Sequence, residues 1–135
     1  MAGYSGTPLV KKLGIKPGAS AVVLREPKEF RKTLGKLPSG TKLETKVSGG
    51  HDFVHLFSKS RAELEYEIPR LAKSIQSDGM IWISWPKQAA RVATDVTEDV
   101  VRAIALKHDL VAVKVCAVDK VWSGLKLVIR VEKRK

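Results

Sequence analysis

A chain of 135 residues with 44% hydrophobic content is long enough to bury a core, and no apolar run approaches the roughly 20 residues that span a bilayer. Its one cysteine, Cys116, excludes an internal disulfide framework and a cysteine zinc cluster. The net charge of +11 keeps polyanions among the partners to consider, and the opening "MAGYSGTPLVKK" lacks the apolar stretch of a secretory signal, so a cytoplasmic location is expected.

The elements follow in chain order. "TPLVKKLG" predicts a short helix with Thr7 as N-cap, Pro8 in the first position and Gly14 at the exit. "SAVVLRE" predicts a buried strand, and "PKEFRKTLGKL" places Phe30, Leu34 and Leu37 at helical spacing. "KLETKV" alternates and reads as a half-exposed edge strand, "SGGHD" as a loop and "FVHLF" as the next strand. Ser60 and Glu63 form a capping box for a helix from "RAELEYEIPRLAKSIQ", with Pro69 set to kink it and Gly79 to end it. "MIWISW" predicts a strand buried on both faces, which Trp85, Pro86 and Lys87 end abruptly. A loop leads to "DVTEDVVRAIALKHD", a helix with Asp95 and Glu98 as its capping pair. "LVAVKVCAV" predicts a strand apolar on both faces, and "DKVWSG" turns the chain tightly into a last strand, "LKLVIRV".

Strands alternating with helices call for a three-layer α/β fold with a mostly parallel, Rossmann-like sheet. The last connection is too short for a crossover, so the final pair is antiparallel. Residues 1–135 are expected to form a single domain, with residues 1–6 and 132–135 mobile. Charge is unevenly spread along it: residues 1–50 hold ten Lys/Arg against three acids, residues 51–110 eight against nine, and residues 111–135 seven against two.

Two resemblances emerge from these motifs. "GYSGTPLVKKLGIKPG", "WISWPK", "TDVTEDVVR" and "VCAVDKVWSGLKLV" together resemble a bacterial family of short proteins classed as a domain of unknown function, and this resemblance implies no activity. In fold, "LGIKPGASAVVL" is similar to the lead-in and first strand of class I S-adenosylmethionine-dependent methyltransferases. "FVHLF" and "IPRLAKSIQSDGMIWISWPK" look like their central strand, helix and following strand. That likeness implies a ligand outside the carboxyl ends of the strands.

The chain departs from those enzymes at two places. They carry a glycine-rich turn after the first strand, where this chain reads Arg25-Glu26-Pro27-Lys28-Glu29. They carry an acid at the end of the second strand, where it reads Lys46-Val47-Ser48. S-adenosylmethionine bound in the usual manner is therefore doubtful, no cofactor is expected, and methyl transfer falls with it.

The candidate ligand-binding residues lie at the strand tips: Arg25, Lys59, Ser84, Trp85, Lys87 and Asp95. An indole beside cations suits a planar anion. "GYSGTPL" offers a weaker phosphate loop in Ser5, Gly6 and Thr7, although it lacks the G-x-x-x-x-G-K-[ST] pattern. No catalytic residue is assigned. His51 and His55, about 13 Å apart on a strand at ~3.3 Å per residue, cannot share one zinc, and no metal site is expected. His55, flanked by Phe53 and Phe57, reads as a hydrogen-bonded core residue, and Gly124 as a turn residue with positive φ. The favoured function is a non-catalytic domain that binds a small anionic ligand or a protein partner. The alternatives are a basic protein associated with nucleic acid and an atypical methyltransferase or other enzyme. No membrane association is expected.

Overall fold

The computed structural model describes residues 7–134. Six strands form one sheet: β1 (Ser20–Leu24), β2 (Lys42–Glu44), β3 (His51–Phe57), β4 (Ile75–Pro86), β5 (Leu110–Ala117) and β6 (Trp122–Ile129). Their spatial order is β2-β1-β3-β4-β6-β5. β1 to β4 are parallel, and β6 is antiparallel to both β4 and β5. The helices are α1 (Leu9–Leu13), α2 (Phe30–Leu34), α3 (Arg61–Ala72) and α4 (Glu98–Lys107). This is the mostly parallel α/β sheet with a C-terminal antiparallel strand that the element order implies.

The two-residue period of the strands divides the core. Val22, Val54, Leu56, Ile81, Ile83 and Trp85 pack under α3 and α4 through Leu64, Ile68, Leu71, Val101 and Ile104. Ala21, Val23, Phe53, Phe57 and Trp82 face α1 and α2 through Leu9, Leu13, Phe30 and Leu34. The two central strands, β3 and β4, are buried on both faces and accordingly read as apolar runs. Residues 45–50 carry the chain from β2 past β1 to β3, with Val47 packed against the α3/α4-side core.

Several local expectations change. α1 begins at Leu9 behind Pro8, which makes no side-chain cap, so Thr7 is not the N-cap. Gly14 does close α1, in the left-handed conformation at φ 86°. α3 stops at Ala72 because Ser74 turns the chain: its N–H and hydroxyl both donate to Leu71 O, at 2.9 and 2.7 Å. β4 therefore starts at Ile75, and Gly79 lies within it rather than ending a helix. A Cβ there would stand 3.0 Å from the carbonyl oxygens of both Gln76 and His51, so glycine answers a close backbone approach.

β5 is an edge strand, not a doubly buried one. Val113 and Val115 are more than half exposed, because β6 takes the inner place beside β4. Gly124 lies inside β6 without positive φ, and what it supplies is space against Trp82. A 3-10 turn, Val131–Lys133, follows β6, and residues 1–6 and 135 lie outside the described residues.

Candidate ligand-binding site

Crossovers on opposite faces of the sheet diverge between β1 and β3, and a crevice at such a divergence is where ligands sit in open α/β sheets. A hollow of about 420 Å³ opens there, lined by Arg25, Pro27, Phe57, Ser58, Lys59, Ser60, Glu63 and Trp122. The protein's own side chains occupy its mouth. Arg25 Nε lies 2.8 Å from Glu63 Oε2, and Ser58 Oγ donates to Glu63 Oε1 at 2.5 Å. The capping box is real but branched: Glu63 N donates to Ser60 Oγ at 3.2 Å, while the Glu63 carboxylate turns to Ser58 and Arg25. Arg25 holds φ 57°, a left-handed conformation that costs a side-chain-bearing residue about 1–2 kcal/mol. This is the turn in which the resembled enzymes carry glycine.

Lys59 is exposed on the rim of this hollow. Its carbonyl accepts from Thr94 Oγ1 at 2.8 Å. Asp95 is used beside it: its Oδ1 accepts from Arg61 N at 2.7 Å, so it caps α3 rather than α4. The N-cap of α4 is Thr97, whose hydroxyl accepts from Val100 N at 3.2 Å.

Trp85 and Lys87 belong to a second hollow, of about 520 Å³, with Gln88, Thr94, Val96, Thr97, Glu98 and Ser123 on its wall. β4 reaches it because Trp85 pairs with Ser123 and Pro86 with Trp122 on β6, and Lys87 N then donates to Val121 O at 2.7 Å. Trp85 is only 7% exposed, and its indole N–H has no acceptor among the described residues. Trp122 instead packs edge-on against Phe57 on the α1/α2 side, ring centroids 5.1 Å apart. Trp85 thus joins the α3/α4-side core and Trp122 the α1/α2-side core.

The six strand-tip candidates are therefore not one cluster. Arg25 and Lys59 line one hollow, and Trp85 and Lys87 the other. Asp95 lies in the seam. Ser84 is fully buried below, its Oγ 2.7 Å from His55 Nε2. Thr7 is exposed ahead of α1, and Ser5 and Gly6 lie outside the described residues.

His55 is the hydrogen-bonded core histidine expected. It stacks on Phe57 at 4.2 Å and meets Phe30 edge-on at 5.2 Å. Its Nδ1 has no partner, and burial pushes its pKa down to about 3. His51 serves structure: its Nε2 accepts from Ser48 N and Gly49 N at 3.0 and 3.1 Å, which leaves Nδ1 to donate to Ser20 Oγ.

Sequence reasoning missed two acids. β2 ends at Glu44, not at Val47, so an acid does stand at that strand end, although it pairs with Val22 and stops two residues short of the end of β1. Glu63 carries a capping signal and nothing in sequence that links it to Arg25. A further hollow, of about 260 Å³, opens at the amino-terminal ends of the strands between Gly14, Pro17, Asp52, Asp78 and Met80, away from these tips.

No family model matches the chain, and no curated protein matches it in sequence. Solved structures do match in fold. A ribosomal protein L11 methylase from Lactobacillus delbrueckii subsp. bulgaricus aligns with TM-score 0.63 at 12% identity, over 90% of this chain and 74% of that one. A SAM-dependent methyltransferase from Aquifex aeolicus aligns with TM-score 0.63 at 14% identity, over 89% and 87%. Magnesium protoporphyrin IX methyltransferase from Synechocystis PCC 6803 with bound SAM aligns with TM-score 0.57 at 12% identity, over 90% and 74%. The expectation of no cofactor runs against these likenesses, since the fold is one that holds S-adenosylmethionine in such a neighbour. No helix among the described residues is long and apolar enough to cross a membrane. At this level of identity the likeness is one of architecture: the chain has a methyltransferase-like Rossmann fold.

Proposed function

We propose that this chain is a methyltransferase-like domain that binds a small anionic ligand at the carboxyl ends of its strands without transferring a methyl group. The observation that carries the reading is the Arg25–Glu63–Ser58 cluster, which closes protein side chains over the mouth of the hollow at the divergence point between β1 and β3. A methyl donor seated there would have to break an ion pair and displace an arginine from a turn that lacks glycine.

The second hollow is the better receptor. Trp85 lends its lining an indole whose N–H has no acceptor among the described residues, Lys87 a cation with no carboxylate within ion-pair distance among the described residues, and α4 the positive end of its dipole. These features support an anion carrying a flat, apolar part. Glu98 on the wall is engaged by Arg102 at 2.8 Å, which lowers its repulsion toward such a ligand.

The test is a thermal-shift screen of nucleotides, S-adenosylmethionine and S-adenosylhomocysteine, followed by calorimetry. The expected hit is a nucleotide-like anion whose stabilisation disappears in Lys87→Ala and survives in Arg25→Ala. Micromolar S-adenosylmethionine binding lost in Arg25→Ala or Glu63→Ala, and indifferent to Lys87→Ala, would return the function to the divergence point and to catalysis.

A further inference from the structure

The sheet sorts the charge of this chain by face. The basic first third builds α1, α2 and β2, and the balanced middle builds α3 and α4 on the other side. The acids of the six ion pairs among the described residues lie on α3 (Glu63, Glu65 and Glu67), on α4 (Glu98), in the turn after β1 (Glu26) and in the C-terminal turn (Glu132).

Within the basic layer one cluster stands out. Lys114 on β5 and Lys126 on β6 are direct cross-strand partners, so their side chains leave the sheet on the same face. Lys114 Nζ donates to Lys12 O at 3.0 Å, which places that face beside the C-terminal end of α1. Lys16 follows α1 and is exposed, on the wall of the small hollow that also holds Asp52 and Asp78. No carboxylate lies within ion-pair distance of Lys16, Lys114 or Lys126 among the described residues. Partial burial, then the neighbouring Lys114 and Lys16, hold the Lys126 ammonium below its usual range, as expected of like charges at close quarters.

Like charges held directly opposite on adjacent strands destabilise a sheet, so the cluster costs stability in the free protein. An anionic partner would offset that cost. We propose that the face formed by Lys16, Lys114 and Lys126 beside α1 binds the phosphodiester backbone of a nucleic acid. Lysines are point charges that neutralise phosphates without reading bases, so the contact is indifferent to sequence. A protein partner fits less well. Interfaces between proteins need apolar or aromatic anchors. Val113 and Val115 flank Lys114 on β5 and are more than half exposed, but Val115 pairs with Leu125 of the α3/α4-side core and so leaves the sheet on the opposite face from Lys114. This inference is independent of the ligand hollow, which lies on the α3/α4 side.

The experiment is fluorescence anisotropy with labelled single-stranded and duplex oligonucleotides, DNA and RNA, at about 50 and 200 mM salt. The wild-type chain binds at the lower salt, with a log–log salt slope that falls by about 0.9 on duplex DNA, and about 0.7 on single strands, for each lysine removed from the cluster. The triple variant Lys16→Gln/Lys114→Gln/Lys126→Gln loses roughly tenfold or more in affinity. A control of equal charge change on the other face, Lys73→Gln/Arg102→Gln/Lys107→Gln, loses much less. Because Lys126 is partly buried, the double Lys16→Gln/Lys114→Gln at two exposed positions is measured too, with melting curves for both. Equal losses in the cluster and control variants would mean that net charge alone acts and would overturn the proposal. So would absence of binding at low salt, or binding confined to phosphatidylserine-containing vesicles.

Discussion

Arg25 and Glu63 meet at 2.8 Å across the divergence point of the sheet, one from the turn after β1 and the other from the first turn of α3. The pair places a left-handed arginine where the resembled enzymes place glycine. Two opposing terms meet there. Glycine would relieve about 1 kcal/mol of backbone strain, and loss of an ion pair exposed on its arginine side, with Glu63 still held by Ser58, would cost on the order of 1 kcal/mol. Arg25→Gly should therefore change stability by less than about 1 kcal/mol in chemical denaturation. A larger loss would show that the pair organises the turn rather than merely covering it.

Acid should find His55. Its folded pKa lies near 3 because burial disfavours the imidazolium, whereas the unfolded chain titrates near 6.5. Between those values the unfolded state binds one more proton. Stability contributed by the neutral histidine is complete above about 6.5 and declines as pH falls toward about 3, by at most about 1.4 kcal/mol per pH unit. Replacing both partners, as in His55→Phe with Ser84→Ala, should flatten that acid limb in urea titrations run at several pH values. A limb of unchanged slope would assign it to carboxylates.

Gly124→Ala tests a packed glycine. The new Cβ would stand 3.1 Å from Trp82 Cε3 and 3.4 Å from both Cys116 O and Ser84 Oγ. Trp82 cannot easily yield, since its Nε1 donates to Leu13 O at 2.8 Å. The expected cost is about 1–3 kcal/mol, read as a lower denaturation midpoint with unchanged slope.

Asp95 ties two helices. Asp95→Ala removes an acceptor from Arg61 N and should cost about 1 kcal/mol, as should Thr97→Ala at the true N-cap of α4. Glu98→Ala loses an exposed i,i+4 pair with Arg102 and should cost about 0.3–0.5 kcal/mol. Thermal melts of the three variants separate the roles, and an Asp95→Ala variant no less stable than wild type would contradict the cap.

Much of this fold is legible in the sequence, because strand burial leaves a direct imprint. The apolar runs "AVVL", "FVHLF" and "MIWISW" mark β1, β3 and β4, and the short "DKVWSG" connection makes the last pair antiparallel. His55 between two phenylalanines already implies a core histidine. Composition does not distinguish an apolar edge strand from a central one, since β5 and β6 differ by which of them hydrogen-bonds β4, a long-range choice. The residues of the candidate site were visible as residue types at strand tips. Their division into two hollows was not, because the side of the sheet on which Trp85 and Arg25 emerge depends on register and turn geometry. The partners of Arg25, Asp95 and Lys114 lie 38, 34 and 102 residues away in the chain, and only folding brings an ion pair, a helix cap and a lysine cluster out of such separations.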